Sequence, residues 1–242
     1  MRRLGLFTLA AVLAGSGLAQ AQNTRISVNG GAVVGSTTAG QNFTFPLYAE
    51  DGRITNDIDL SGGAFFDIGG AYRVTSRLWA GVAFTSVSRT VDSSLSAQLP
   101  HPFYFNQART VDATVEDLDG KETSVHISLL YPIAVSDKLE VALFGGPTRF
   151  SVTQDLVTGL DVDDTYPYDS VTVNAAETAS VSASAWGGHV GADISYRLTP
   201  MFSVGGLIRF ARGSATLDAG NGDAVSISPG GLMVGGGVRV VF

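Results

Sequence analysis

The sequence predicts an all-β fold: a closed, antiparallel, eight-stranded transmembrane β-barrel built as an up-and-down meander. Three observations carry this. Apolar residues alternate with polar or small ones in eight separate runs. The connections between those runs are alternately long and short. Hydrophobic residues make up 45% of the chain and charged residues only 15%, a low charge content for a soluble domain. Yet no stretch supplies the roughly 20 apolar residues of a membrane-spanning helix.

The first run, 24–35, places Ile26, Val28, Gly30, Ala32 and Val34 on one face. The second, 62–74, carries Phe66, Ile68, Tyr72 and Val74, and the third, 78–90, carries Leu78, Val82 and Phe84. The fourth, 122–133, carries Val125, Ile127, Leu129, Tyr131 and Ile133. The fifth, 138–152, carries Leu139, Val141 and Leu143 before meeting Pro147. The sixth, 180–198, holds Trp186, Val190, Ile194, Tyr196 and Leu198. The seventh, 201–213, holds Phe202, Val204, Ile208 and Phe210; the eighth, 229–242, holds Leu232, Val234, Val238, Val240 and Phe242. Alternation weakens after Phe84 and after Pro147. A proline removes a ladder hydrogen bond, so a bulge is expected at Pro147.

Short turns are expected at 75–77, 134–137 and 199–200, and long loops at 36–61, 91–121, 153–179 and 214–228. In hydrocarbon every backbone polar group must be paired internally, which a sheet achieves by closing on itself. One face then meets lipid and the other the lumen. Trp186 and Tyr196 share a face ten residues apart, a rise of roughly 25 Å when tilted, the height of a barrel's apolar band. Tyr72, Tyr131, Tyr196, Phe202 and Phe242 fall at the short-turn end, where ring side chains form an interfacial girdle.

Eight strands leave an interior that side chains just fill. The inward set is expected to comprise Arg25, Asp67, Arg73, His126, Glu140, His189, Asp193, Arg197, Arg209 and Arg239. Buried charges have to be paired, so this set predicts a charge network that plugs the barrel. A metal site at the two histidines is the minor alternative.

Residues 1–21 read as a signal peptide: Met1-Arg2-Arg3, an apolar run, then Ala19-Gln20-Ala21. Cleavage after Ala21 leaves 22–242 as the barrel domain and takes the formal charge from −7 to −9. That acidity argues against nucleic-acid binding. The chain has no cysteine, hence no disulfide framework. No cofactor is expected.

The chain ends Gly237-Val238-Arg239-Val240-Val241-Phe242. A terminal Phe after alternating apolar residues, with an upstream Gly, resembles the assembly signal of outer-membrane barrels. With the export segment and strand plan, the mature chain resembles the OmpA-like, opacity-type family of eight-stranded outer-membrane proteins. The resemblance implies assembly-signal roles for Gly237, Val240 and Phe242. It also implies a cell outer-membrane location, contact with outer-membrane lipid and lipopolysaccharide, delivery by the barrel assembly machinery, and a monomer.

The function this favours is structural or surface interaction through long acidic loops, without catalysis. In the loop expected at 153–179, Asp161, Asp163 and Asp164 are candidate cation ligands, since carboxylates suit Ca²⁺. The enzyme alternative rests on His126, Ser128 and Glu140, an activated-nucleophile set. It resembles the His-x-Ser plus Glu of barrel-type lipid A deacylases, but has Leu129 where they place Asn. A small pore and a soluble lipocalin-like barrel complete the alternatives.

Overall fold

The computed structural model describes residues 23–35, 38–60, 62–218 and 224–242. The expected export segment at 1–21 lies outside the described residues. The strands are β1 (Thr24–Val34), β2 (Thr38–Leu47), β3 (Glu50–Asp59), β4 (Ala64–Arg73), β5 (Trp79–Pro100) and β6 (Ala108–Ala134). They continue as β7 (Leu139–Asp164), β8 (Val171–Arg197), β9 (Phe202–Gly213), β10 (Ala215–Asp218), β11 (Ala224–Ile227) and β12 (Gly230–Val241). Eight of them close a ring, β1-β4-β5-β6-β7-β8-β9-β12, with every neighbour antiparallel.

Closure joins the two ends of the chain. β1 pairs β12 from Arg25–Val241 to Val34–Leu232. The Phe242 carbonyl accepts the Asn23 and Thr24 amides, and the Phe242 amide donates to Thr24 O. At Gly237 the strands approach so closely that a Cβ would stand 1.9 Å from Val28 O.

The three short turns share one device. Thr75, Ser136 and Thr199 each accept, on the side-chain hydroxyl, the amide three residues on, at Leu78, Leu139 and Phe202 (3.0–3.1 Å). A hydroxyl that bonds its own backbone supplies a turn without glycine.

The four expected long loops are largely strand. Residues 91–121 extend β5 and β6 to a turn at 101–107, and residues 153–179 extend β7 and β8 to a turn at 165–170. Residues 38–59 form the β2–β3 hairpin, which joins the wall by pairing β3 with β5. Residues 215–227 contain the β10–β11 hairpin. At 27 residues, β6 runs about 90 Å along its own path, several times the roughly 25 Å of an apolar band.

What changes along these long strands is which face is apolar. In the lower half Phe66, Ile68, Val125, Ile127, Val190, Ile194 and Ile208 point outward and are exposed, while Asp67, His126, Asp193 and Arg209 are buried inside. In the upper half the outward side carries Ser88, Thr90, Ser94, Ser151 and Thr153, and the inward side carries Val87, Val91, Leu95, Leu118, Val152 and Leu156. The apolar side switches from wall to lumen where the surrounding solvent changes from hydrocarbon to water.

This switch explains the two expected phase slips, neither of which exists in the backbone. After Phe84, β5 keeps its even residues outward; only their chemistry changes. No bulge forms at Pro147 either: β7 holds one register against β8 from Leu139 to Val157. Facing β6, pairing lapses between Thr148 and Gly145 without changing register, so the missing N–H is absorbed locally. The bulges lie higher. One sits opposite Asp92, where β6 spends the extra residue at Glu116-Asp117, with Asp117 at φ 59° and its amide on Asp92 Oδ1.

Two apolar clusters fill the upper lumen. One joins Ala39, Ile58, Val91, Leu118, Leu156, Leu217, Val225 and Ile227, so it unites both hairpins with the ring extensions. The other, above it, joins Phe43, Ile54, Leu95, Leu99 and Val157. The lower lumen is less uniformly polar than expected: Val33, Phe65, Phe144, Leu207 and Met233 form a third buried cluster there, which reaches the upper half at Val87.

Candidate functional site

The lower lumen is built in layers of paired charge. At the short-turn end Arg25 pairs with Glu140. One layer up, Arg239 grips Asp193 by a fork, Nη2 at 2.6 Å and Nε at 3.2 Å from the carboxylate oxygens. Arg209 Nη1 then donates to Asp67 Oδ2 and to Thr85 Oγ1, both at 2.8 Å, and Asn29 donates to the other Asp67 oxygen at 2.9 Å. The uppermost pair is Arg89 with Glu122 at 3.1 Å, and the Gly230 amide also reaches Glu122. Arg25–Glu140, Arg239–Asp193 and Arg209–Asp67 each join strands that are not neighbours in the ring, whereas Arg89 and Glu122 lie on the paired strands β5 and β6. Fork geometry and extra hydroxyl donors are what make buried ion pairs tolerable.

Of the ten residues expected in this network, six form three one-to-one ion pairs. Arg73 instead places its guanidinium over the Trp79 ring, 5.0 Å from the centroid, and Arg25 flanks the same ring at 5.3 Å. Arg197 is exposed at the short-turn mouth and takes no part in the five ion pairs among the described residues. Its position two residues past Ser195, the last buried inward residue of β8, accounts for that.

His126 and His189 meet hydroxyls rather than carboxylates. Thr148 Oγ1 bridges the two Nδ1 atoms at 2.9 and 2.8 Å, and the rings cross edge-on at 4.8 Å. His126 Nε2 lies on Ser124 and Thr85, and His189 Nε2 lies 2.8 Å from Ser128 Oγ. The proposed nucleophile set is therefore not assembled as such. Ser128 pairs with His189, not His126, and Glu140 is committed to Arg25.

A second constellation sits at the apex, and sequence reasoning missed it. Arg109, on β6, pairs with Asp164 at the end of β7, and donates to Pro100 O and Tyr168 O at 2.8 and 3.2 Å. The Tyr48 hydroxyl, in the β2–β3 turn, donates to Asp164. One carboxylate thus clasps three turns. Arg109 holds the Asp164 carboxyl below its usual range, with Tyr48 acting the same way, and the Tyr48 phenol is raised by its bond to Asp164. The candidate cation site dissolves accordingly. Asp164 is spent on Arg109 and Tyr48, Asp161 and Asp163 lie exposed along β7, and no metal-holding group occurs among the described residues.

No protein-family model matches this chain, and no curated protein matches it. Solved structures do. The outer membrane protease OmpT from Escherichia coli superposes with a TM-score of 0.54 at 10% identity, over 94% of this chain and 100% of that one. The Neisserial surface protein A, NspA, gives 0.42 at 13% identity over 90% and 97%. The outer membrane protein OprG from Pseudomonas aeruginosa gives 0.42 at 9% identity over 91% and 97%. What the chain shares with OmpT is fold alone. The architecture is that of an outer-membrane β-barrel, with a ring of eight strands and a lipid-facing apolar band.

Proposed function

We propose that this protein is a surface-display barrel: a plugged outer-membrane section that carries a rigid extracellular sheet and presents its turns for recognition. The carrying observation is the apolar core above the membrane. A loop meant only to be solvated has no need of Phe43, Ile54, Leu95, Leu99 and Val157 fully packed against one another. Ordering that much chain costs conformational entropy, and burial offsets it only to hold something in place. The acidic outer face is the solvated side of this sheet. The paired lumen charges support a closed interior, and the commitment of Glu140 to Arg25 rather than to a histidine favours a binding role over lipid A hydrolysis by His126, Ser128 and Glu140.

The same reading includes export through the segment at 1–21, insertion as a monomer among lipid and lipopolysaccharide, and assembly guided by Gly237, Val240 and Phe242. The chain lacks cysteine, so single-cysteine variants report topology cleanly. On intact cells a membrane-impermeant maleimide should label Asp163→Cys and spare Asp137→Cys in the β6–β7 turn. The opposite pattern rejects surface display. In planar bilayers the protein should show no stable unitary conductance; a reproducible one rejects the plug.

A further inference from the structure

The turn after β5 reads His101-Pro102-Phe103-Tyr104-Phe105-Asn106. Its three aromatic side chains are 69%, 59% and 72% exposed, at the top of a molecule whose upper core is otherwise well covered. They do not stand apart. The Phe103 ring contacts Tyr168 at 5.3 Å, Tyr104 packs on the His101 ring at 4.8 Å, and the Asn106 amide donates to Glu50 Oε1 across the turn gap. Between the β2–β3 and β5–β6 turns lies a small, half-open pocket of about 50 Å³, lined by Tyr48, Glu50, His101, Phe103, Tyr104 and Phe105.

His101 gives this pocket its polarity. Its side chain is only 7% exposed. Nδ1 accepts the Phe103 amide at 3.1 Å, which places the ring proton on Nε2. That buried Nε2–H finds no acceptor among the described residues, and a buried donor left unsatisfied is costly. The pocket wall therefore holds one unpaired N–H at His101, one carboxylate at Glu50 with an oxygen beyond the one Asn106 uses, and several ring faces. A ligand matching it needs an oxygen that accepts, a hydroxyl that donates and an apolar C–H face that stacks. Asp51 adjoins Glu50 in sequence, and Asp163 and Asp169 belong to the β7–β8 end whose Tyr168 meets Phe103, so the segments that form this apex are acidic, which disfavours an anionic ligand. The clasp among Tyr48, Arg109 and Asp164 keeps the two turns in register.

The geometry points to a binding subsite for a neutral hexose-type glycan at the apex, with His101 and Glu50 bonding hydroxyls and Tyr104 and Phe103 stacking on the ring. This rests on the surface-display reading and names the chemistry of its partner.

The test is saturation-transfer NMR on the full mature chain in lipid nanodiscs, with methyl β-glucoside, methyl β-galactoside, N-acetylglucosamine and maltotriose as probes. At least one neutral sugar should receive saturation on its ring protons. Tyr104→Ala should abolish it. His101→Phe should weaken it about tenfold, the worth of one buried hydrogen bond. Amide exchange across β5 and β6 shows whether each variant keeps its apex, and Glu50→Gln, which conserves shape, provides a second weakening variant. Silence from all four sugars overturns the proposal, as does a signal indifferent to these variants or saturation reaching choline instead. Because maleimide labelling of intact cells is scored separately, a displayed protein that binds no neutral sugar refutes this subsite and leaves surface display standing.

Discussion

Single residues in the lumen carry large electrostatic stakes, and Arg239 shows why. Its side chain is almost wholly buried, and among the described residues its ionic partner is Asp193. Removing one member of such a pair leaves an uncompensated charge, worth about 3–5 kcal/mol. Arg239→Met should accordingly lower unfolding stability in detergent by about that amount. The double variant Arg239→Met/Asp193→Leu should recover most of it, because the apolar pair removes both desolvation costs. Denaturant titration checks both, and equal losses in single and double variants would falsify the pairing argument. Asp164 offers a pH signature at the same scale. Its folded carboxyl sits below the unfolded value, held there by Arg109. A depressed acid contributes stability that is complete above the unfolded value and is lost as pH falls through the folded one. The Tyr168 amide, which donates to Thr165 O in the turn that Asp164 anchors, should therefore stay protected from exchange through the ordinary carboxylate range and lose protection only below it. Early loss of protection within that range contradicts the clasp.

At the scale of elements, β5 to β8 are each two strands in series. Their lower portions are held by closure of the ring, their upper portions by an internal apolar core. These supports are independent, so they can be separated. Leu156→Asp places a charge in the upper core, where Leu156 is fully buried. It should release amide protection in the extensions while the lower ring remains inserted and heat-resistant on gels. Loss of membrane insertion would show the upper core to be a folding requirement of the whole chain. The turn devices at Thr75, Ser136 and Thr199 were readable as polar breaks between apolar runs. Of the extensions only 171–184 is legible as strand continuing past the membrane, as β8 shows, because elsewhere alternation with apolar residues on one constant face breaks off. When the apolar side moved from Phe84 to Val87, the pattern looked like an interruption.

For the whole molecule, the decisive property is that one continuous wall stands in two solvents. Ile194, 43% exposed on the outer face, lies in the band that meets hydrocarbon. At the middle of that band, between Trp186 and Tyr196, Val190→Arg should destabilise the inserted barrel by about 2–4 kcal/mol, whereas Ser151→Arg on the upper face should be nearly neutral. Folding titrations into lipid vesicles measure the difference, and equal effects would mean that the boundary between solvents is misplaced.

Length, composition and alternation were enough to determine the ring of strands, its antiparallel order and the outward direction of Phe66, Ile68, Val190 and Ile208. These follow from local chemistry: period two assigns faces, and lipid demands that backbone polar groups pair within the sheet. The sequence also identified which charges were inside, as with Asp67, Glu140 and Asp193, because parity along a strand is a local property. It could not say that Arg209 meets Asp67 or that Ser128 meets His189. Those contacts cross the lumen, and only closure with its particular stagger decides which positions share a layer. The aromatic run at 103–105 was visible as letters. Its meeting with Tyr48, Glu50 and Tyr168 came from tertiary structure alone, since three separate hairpins reach that apex and a shared apolar core holds them there.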